Sequence, residues 1–183
     1  MAIMTRPNEF LQRLIGAAAL NPNVYEDVEA DQGATGGALL TVVLSSVAAG
    51  IGARGLGGGS IGEIGLVSIA ALLLWAAWAL LTAQIGTRLM PQPKTRSDVG
   101  ELLRTLGFAT APGCLRILGV IPGVAAPVFG VTAIWMLATM VVAVRQALDY
   151  DSTLRAVAVC GVGWVLAVAM AVVFGLMWAP PLS

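Results

Sequence analysis

Five apolar segments separated by short polar connections make up most of the chain after residue 31. A hydrocarbon core of about 30 Å takes about 20 helical residues to cross, so segments of this length with few charges indicate transmembrane helices. We predict an all-α, polytopic membrane helix bundle over residues 32–183. Its five transmembrane helices are expected at approximately 34–53, 64–86, 102–121, 124–144 and 156–178.

Residues 1–31 have a different pattern and form a separate N-terminal segment. Apolar residues recur at helical spacing over residues 7–18 opposite a polar face, which predicts a short amphipathic helix that ends at Asn21-Pro22. We expect it to lie in the membrane interface or to pack against the bundle, because it is too short to cross. An acidic cluster follows, which we expect to lie in water or to pair with basic groups: Glu26, Asp27, Glu29 and Asp31.

The positions of the basic residues predict the orientation. With the amino terminus inside, only Arg54 and Arg116 of the ten basic residues lie toward the outer side. Lysine and arginine are concentrated in the cytoplasmic loops of membrane proteins. We therefore predict a multi-pass inner-membrane protein with a cytoplasmic N-terminus and a periplasmic C-terminus. The preference for Arg over Lys and the many Ala, Gly and Val residues favour a bacterial source.

The third apolar segment is unusual because Arg104 and Arg116 bracket only eleven uncharged residues. Pro112 lacks a backbone N–H and is expected to kink this helix. One hypothesis is that Arg116 extends to the outer headgroups. The other is an internal polar site that combines Arg116, Thr110 and the Pro112 carbonyl, since a charge within a membrane usually has a partner. Arg104, Thr110, Pro112 and Arg116 are therefore the candidate functional or structural residues.

Small residues recur every four positions in the first and fifth segments. In lipid, such rows let helices approach closely. We predict that these faces pack against neighbouring helices, either each other or different ones. The residues concerned are Gly37, Ser45 and Ala49 in the first segment and Gly163, Ala167, Ala171 and Gly175 in the fifth.

Composition restricts the possible chemistry. The chain is 58% hydrophobic and 11% charged, which is outside the range of soluble domains, and its formal net charge is zero. No histidine is present, so Ser-His catalysis and histidine-bound metals are excluded. Cys114 and Cys160 lie in apolar segments and suggest core thiols. We predict no enzymatic activity, no catalytic residues, no metal, no cofactor and no nucleic-acid binding.

Three short patterns resemble the bacterial branch of the Yip1 domain family. They are the Arg-x-x-Gly-Phe-Ala-x-Ala-Pro run at residues 104–112, the Trp135 helix that ends at residues 141–148, and the Asn21-Pro22 to Glu26 stretch. The resemblance extends over roughly residues 8–175 and implies a five-helix membrane domain with a cytoplasmic amino terminus. In eukaryotic relatives it implies binding to small prenylated GTPases and a part in vesicle traffic or membrane shaping. The Asp-Leu-x-Gly-Pro element and the long N-terminal arm of that branch are absent, which argues against GTPase binding.

These patterns favour a non-catalytic scaffold, assembly factor or accessory subunit of Yip1 type. Its expected partners are membrane lipids and either other integral membrane proteins or further copies of the chain. The alternative is a small-solute or anion transporter or channel that uses Arg116 and the helix break at Pro112, because broken membrane helices often form anion sites.

Overall fold

The computed structural model describes residues 7–57, 60–89 and 98–178, and these residues form helices without any strand. The prediction of an all-helical fold is therefore confirmed for the described residues. The α-helices are α1 (Pro7–Ala18), α2 (Pro22–Ala30), α3 (Thr35–Gly52), α4 (Ile61–Gln84), α5 (Val99–Phe108), α6 (Ala125–Ala147) and α7 (Thr153–Trp178). The 3-10 segments are Gln32–Ala34, Ala53–Leu56 and Ala111–Val120, and a π-helical turn, Ile85–Leu89, continues α4.

The last five helices form a closed ring. Helix α3 packs against α4, α4 against α7, and α7 against α6. Helix α6 packs against α5 and the 3-10 segment Ala111–Val120, and both of these pack back onto α3. Helix α2 lies across α5 and α6, and α1 contacts α2 and the 3-10 segment. The N-terminal segment is thus part of the packed bundle.

Within the described residues, three helical stretches are long and apolar enough to cross a membrane: Gln32–Leu56, Ile61–Arg88 and Ala125–Ala147. They support a membrane helix bundle, in which three helices meet this criterion where the sequence predicts five crossings. The part of α7 over Thr153–Leu166 is apolar but shorter. The crossing by α7 and the crossing by the third apolar segment stay predictions.

The third segment contains a complete break. Helix α5 ends at Phe108, and after two residues the chain continues as the 3-10 segment Ala111–Val120. Pro112 explains the change, because it cannot donate a backbone hydrogen bond and it disfavours helical geometry in the residue before it. This arrangement differs from the single kinked helix that the sequence predicts over residues 102–121.

Helix α1 is attached to the bundle by polar contacts. The Tyr25 hydroxyl donates to the Ala17 carbonyl at 2.9 Å, and the Trp135 indole N–H of α6 donates to the Ala18 carbonyl at 2.7 Å. Leu11 and Ile15, on the predicted apolar stripe, remain 51% and 66% exposed. Of the two predicted placements, packing against the bundle is therefore present, and an exposed apolar edge remains beside it.

The buried core lies mainly at the end of the bundle where α5 begins and α6 ends. We call this the carboxylate end, after the side chains of Glu26, Glu29, Asp149 and Asp151 that lie there. Its large, fully buried side chains come from α2, α5, α6 and α7, and they include Tyr25, Val28, Leu102, Leu106, Val144, Leu148 and Val159. A cleft between α4 and α6 lies beside the middle of α6, where its lining includes Ala133 to Met140.

Candidate functional site

Arg104 is only 8% exposed, and its charge is balanced by the end of a helix. Its Nε donates to the Val28 carbonyl at 3.3 Å, and its Nη2 donates to the Glu29 carbonyl at 2.6 Å. Both carbonyls belong to the last turn of α2, where they have no partner within the helix and where the helix dipole is negative. Arg104 therefore joins α2 to α5, and this contact fixes the position of the acidic helix α2.

An acidic cavity of about 560 Å³ lies at the carboxylate end, beside this contact. The Gln146 side-chain amide donates to Glu26 Oε1 at 2.7 Å and closes one side of the cavity. The lining consists of four carboxylates, one arginine, one glutamine and one tyrosine. They are Glu26, Glu29, Asp149, Asp151, Arg145, Gln146 and Tyr150. The cavity thus combines Glu26 and Glu29 of the acidic cluster predicted after α1 with two carboxylates of the α6–α7 connection, which is distant in sequence. Asp31 of the predicted cluster instead forms an ion pair with Arg13 at 2.8 Å.

The environment of Glu29 is strongly acidic. The pKa of the Glu29 carboxyl is raised to about 7, first by burial and then by the negative charges of Asp149, Glu101 and Glu26, whereas Arg104 acts in the opposite direction. Desolvation and like charges both favour the neutral acid. Glu29 therefore changes charge near neutral pH, and a nearby positive charge would favour its ionised form.

The loop that forms the other wall of the cavity is held by hydrogen bonds from side chains to backbone carbonyls. The Tyr150 hydroxyl donates to the Gly86 carbonyl at 3.2 Å, and Arg145 Nε donates to the Tyr150 carbonyl at 3.4 Å. Asp149 has a φ of 50°, which is unusual for a residue with a side chain. The surrounding contacts maintain this conformation, so the cavity has a preformed wall.

The break between α5 and the 3-10 segment is stabilised by two threonines. The Thr110 hydroxyl donates to the Gly107 carbonyl at 2.7 Å within the break. The Thr139 hydroxyl, from α6, lies 2.7 Å from the Ala109 carbonyl oxygen and 2.8 Å from that of Met136 in its own helix, so these two acceptors share its single donor. A threonine of a neighbouring helix thus reaches a carbonyl close to Pro112. Thr110 serves the local turn, and the structure does not bring it together with Arg116 in one hydrogen-bonded group.

Arg116 lies in the 3-10 segment and has few partners. Its Nε donates to the Thr132 hydroxyl of α6 at 3.3 Å, and its Cζ lies 5.5 Å from the centre of the Phe129 ring, a cation–π distance. Over the described residues, Arg116 forms no ion pair with a carboxylate. Its two terminal nitrogens therefore retain donors that the described side chains do not use.

Arg116 also lines the cleft between α4, α6 and α7, which has a volume of about 500 Å³ and which we call the α4–α6 cleft. Arg116 is the charged residue of a mainly apolar lining, whose other described members are Ala71, Leu74, Trp75, Trp78, Ala133, Ile134, Met136, Leu137, Met140, Gly161 and Trp164. The indole N–H of Trp75 is buried without a partner among the described residues. The Trp78 indole N–H instead donates to the Cys160 carbonyl of α7 at 3.4 Å.

The predicted small-residue faces lie against different neighbours. Gly37 faces Phe108 of α5, and Ser45 lies against Gly113 of the 3-10 segment. Gly163 of α7 faces Thr82 of α4. Ala49 is buried. The side chains of Ala167 and Ala171 and the surroundings of Gly175 lie outside the described part.

Sequence reasoning missed several members of these sites. Thr132 and Thr139 are seven residues apart on α6, which is about two helical turns and puts them on one face. Two threonines with this spacing in an apolar helix are a usable signal. The carbonyl partners of Arg104 left no such signal, because they lie 75 and 76 residues away and any residue type supplies them. Over the described residues, no group of three His, Cys, Asp or Glu side chains is arranged to hold a metal ion.

Comparisons with family models, with curated proteins and with solved structures returned no match. The function is therefore inferred from the geometry of the acidic cavity and of the α4–α6 cleft.

Proposed function

We propose that the protein is a non-catalytic membrane scaffold or assembly factor of Yip1 type, which binds other integral membrane proteins. The observation that supports this proposal is the preformed acidic cavity at the carboxylate end. Its carboxylates come from α2 and from the α6–α7 connection, and contacts of Arg104 and Tyr150 hold both elements. A site that is already organised loses less entropy on binding and therefore favours association.

The chemistry of the cavity favours a basic partner segment. Four carboxylates face one arginine in its lining, and the charged form of the Glu29 carboxyl is destabilised first by burial and then by the negative charges of its neighbours. A lysine or arginine from a partner would relieve this repulsion, and complementary charges at an interface increase specificity and the rate of association. We propose that the partner supplies a basic juxtamembrane loop to the cavity.

The orientation that we propose agrees with this partner. The distribution of basic residues in the sequence assigns the carboxylate end to the cytoplasmic side, where membrane proteins have most of their basic loops. We propose five crossings, an internal amino terminus and an external carboxyl terminus. Sidedness tags on each connection test this topology, and amino- and carboxyl-terminal tags in the same compartment would contradict it.

Affinity purification from native-level membranes tests the scaffold function. The double variant Glu26→Gln, Asp149→Asn removes two charges of the cavity, and asparagine tolerates the positive φ at position 149. Asp27→Asn is the matched control, since Asp27 is an exposed neighbour on α2 outside the lining. We expect a stoichiometric membrane-protein partner with the wild type and the control and its loss with the double variant. Equal recovery with all three proteins, or a partner-free wild type, would overturn the proposal.

A second candidate is an anion transporter or channel, supported by Arg116 in a cleft without a carboxylate. Its test is anion flux into vesicles that contain the purified protein. Flux that Arg116→Leu abolishes would favour this candidate, whereas unchanged flux in this variant would remove it.

A further inference from the structure

We propose that the α4–α6 cleft binds a phospholipid with an anionic headgroup, whose phosphate pairs with Arg116 and one of whose acyl chains occupies the apolar part of the cleft. This inference goes beyond the scaffold function. It concerns a different region of the molecule from the carboxylate end, and each proposal can fail while the other holds.

Two unused groups of donors favour an anionic ligand. Arg116 uses only Nε in a hydrogen bond to a described residue, which leaves the Nη nitrogens available, and guanidinium groups bind phosphate oxygens through paired N–H bonds. Trp75, in the same lining, has a buried indole N–H that no described residue accepts from. An arginine within the apolar part of a membrane protein normally has a partner, and the described residues supply no carboxylate.

The remainder of the lining favours an acyl chain. On α6 the lining runs from Ala133 to Met140, about 10 Å along the helix axis. These residues follow Thr132 and lead toward the end of α6. Arg116 contacts α6 at Thr132 and therefore lies at one end of this apolar strip. A charged group at one end of an apolar strip matches an amphiphile. A free phosphate ion would leave the apolar part of the cleft unfilled.

The cleft is open to the surroundings of the bundle. Ile134 is 74% exposed and Trp164 is 59% exposed, although both line the cleft. Around a membrane helix bundle these exposed apolar side chains face lipid tails, so a chain from the bilayer can enter sideways. Continuity with the lipid-facing surface therefore favours a bilayer lipid over a soluble molecule.

Two pairs of variants separate the contributions of charge and shape. Arg116→Gln removes the charge, and Arg155→Gln is its control, because Arg155 makes a similar cation–π contact, 5.9 Å from the centre of the Tyr150 ring, outside the cleft. Gly161→Leu places a side chain in the cleft, and Gly130→Leu places one on α6 outside the lining. A Cβ at either glycine meets no other atom within 4 Å, so both changes are compatible with the backbone.

The experiment is native mass spectrometry of the purified full chain titrated with phosphatidylglycerol or with phosphatidylcholine of identical acyl chains. We expect one tightly retained phosphatidylglycerol per chain and a preference over phosphatidylcholine that Arg116→Gln reduces by about tenfold or more. Gly161→Leu is expected to reduce the retention of both lipids, and the two control variants are expected to behave as the wild type.

Several outcomes would overturn the proposal. One is that the wild type retains both lipids equally. Another is that Arg116→Gln or Gly161→Leu leaves lipid retention unchanged. A third is that Arg155→Gln or Gly130→Leu reduces lipid retention as much as the variant with which it is paired. Inorganic phosphate forms a further arm of the experiment. If millimolar phosphate displaces the lipid from the wild type but not from Arg116→Gln, the site binds soluble anions. This outcome would overturn the lipid proposal and favour the transporter candidate. Melting temperatures of all four variants, measured alongside, confirm that each protein is folded.

Discussion

Arg104 and Arg116 lie twelve residues apart in the same broken segment, and neither is paired with a carboxylate side chain in the described structure. Arg104 donates through two of its nitrogens to carbonyls at the end of α2, one of them at 2.6 Å. Among the described residues, Arg116 donates through one nitrogen to a hydroxyl at 3.3 Å and lies against an aromatic ring. The charge of Arg104 thus meets two backbone acceptors at a helix end, whereas both terminal nitrogens of Arg116 are without a described acceptor.

The difference shows how an arginine in apolar surroundings can be assigned a role from its hydrogen-bond partners. Helix-terminal carbonyls supply both acceptors and a negative dipole, so Arg104 needs no ligand and acts as a structural link. Arg116 lies beside a cleft with unused donors, so its environment is complete only when another molecule supplies an acceptor. The predictions below test this distinction.

The largest effect on stability is expected for Arg104→Met. This change retains an apolar side chain of similar length but leaves the Val28 and Glu29 carbonyls without their donors. Unsatisfied buried acceptors cost about 1–3 kcal/mol each, so we expect a loss of about 3 kcal/mol in the free energy of unfolding. Thermal unfolding in detergent measures it. Arg116→Met serves as the comparison, and a loss as large as that of Arg104→Met would show that the two arginines have equivalent structural roles.

The next effect concerns the backbone that positions Arg116. A Cβ at Gly52 would collide with the carbonyl oxygen of Arg116, so Gly52→Ala must displace the 3-10 segment or the end of α3. Overpacking of this kind costs about 2 kcal/mol. Gly130→Ala, at an open position on α6, is the control and is expected to be neutral or slightly stabilising. Equal melting temperatures for the two variants would contradict the close approach of these backbones.

A smaller effect is expected for Thr139→Val, which removes the hydroxyl that donates to the Ala109 carbonyl. Interhelical hydrogen bonds of this kind contribute about 1 kcal/mol in membrane proteins. In the control Thr41→Val, the lost hydroxyl bonds only to its own helix, at the Gly37 carbonyl. Chemical unfolding of both variants should show the larger loss for Thr139→Val, and a larger loss for Thr41→Val would indicate that α6 does not support the break.

The smallest effect is the pH dependence contributed by Glu29, whose pKa in the folded protein is raised to about 7. An acid with a raised pKa binds its proton more tightly in the folded state, so its contribution to stability is present at low pH. It is lost as the pH increases from about 4.3 through 7. We expect Glu29→Gln to remove this decline in the free energy of unfolding. Because Glu29 is partly exposed and solvent screens its interactions, the decline amounts to less than about 1 kcal/mol. Melting curves at pH 5 and pH 8 measure it, and an unchanged pH dependence in the variant would exclude Glu29 as its source.

Local patterns predicted much of the helical architecture. The amphipathic spacing over residues 7–18 gives the bounds of α1, and the charge-free stretches correspond closely to α3, α4 and α6. These features depend on neighbouring residues, which the sequence displays directly. The proline at position 112 identified the place where the third segment changes, although the loss of α-helical geometry over the next ten residues depends on packing against α3 and α6.

The sites were less accessible to prediction because they combine distant parts of the chain. The acidic cavity combines Glu26 and Glu29 with Asp149 and Asp151, more than a hundred residues later. The unused donors of Arg116 become evident only when Thr132 is seen as its single hydrogen-bond partner. No sequence spacing identifies the acidic cavity, whereas the spacing of Thr132 and Thr139 marks the face of α6 on which the partner of Arg116 lies.

The hydrogen bond between the Trp135 indole and the Ala18 carbonyl has a consequence for biosynthesis, because its two ends are separated by 117 residues. At ribosomal speeds of about 5–20 residues per second, the first helix is made on the order of ten seconds before its acceptor finds a donor. During that interval α1 can already contact α2, which follows it directly, but its hydrogen-bond donor on α6 does not yet exist. The contact between α1 and α6 is therefore among the later ones to form while the chain is being made.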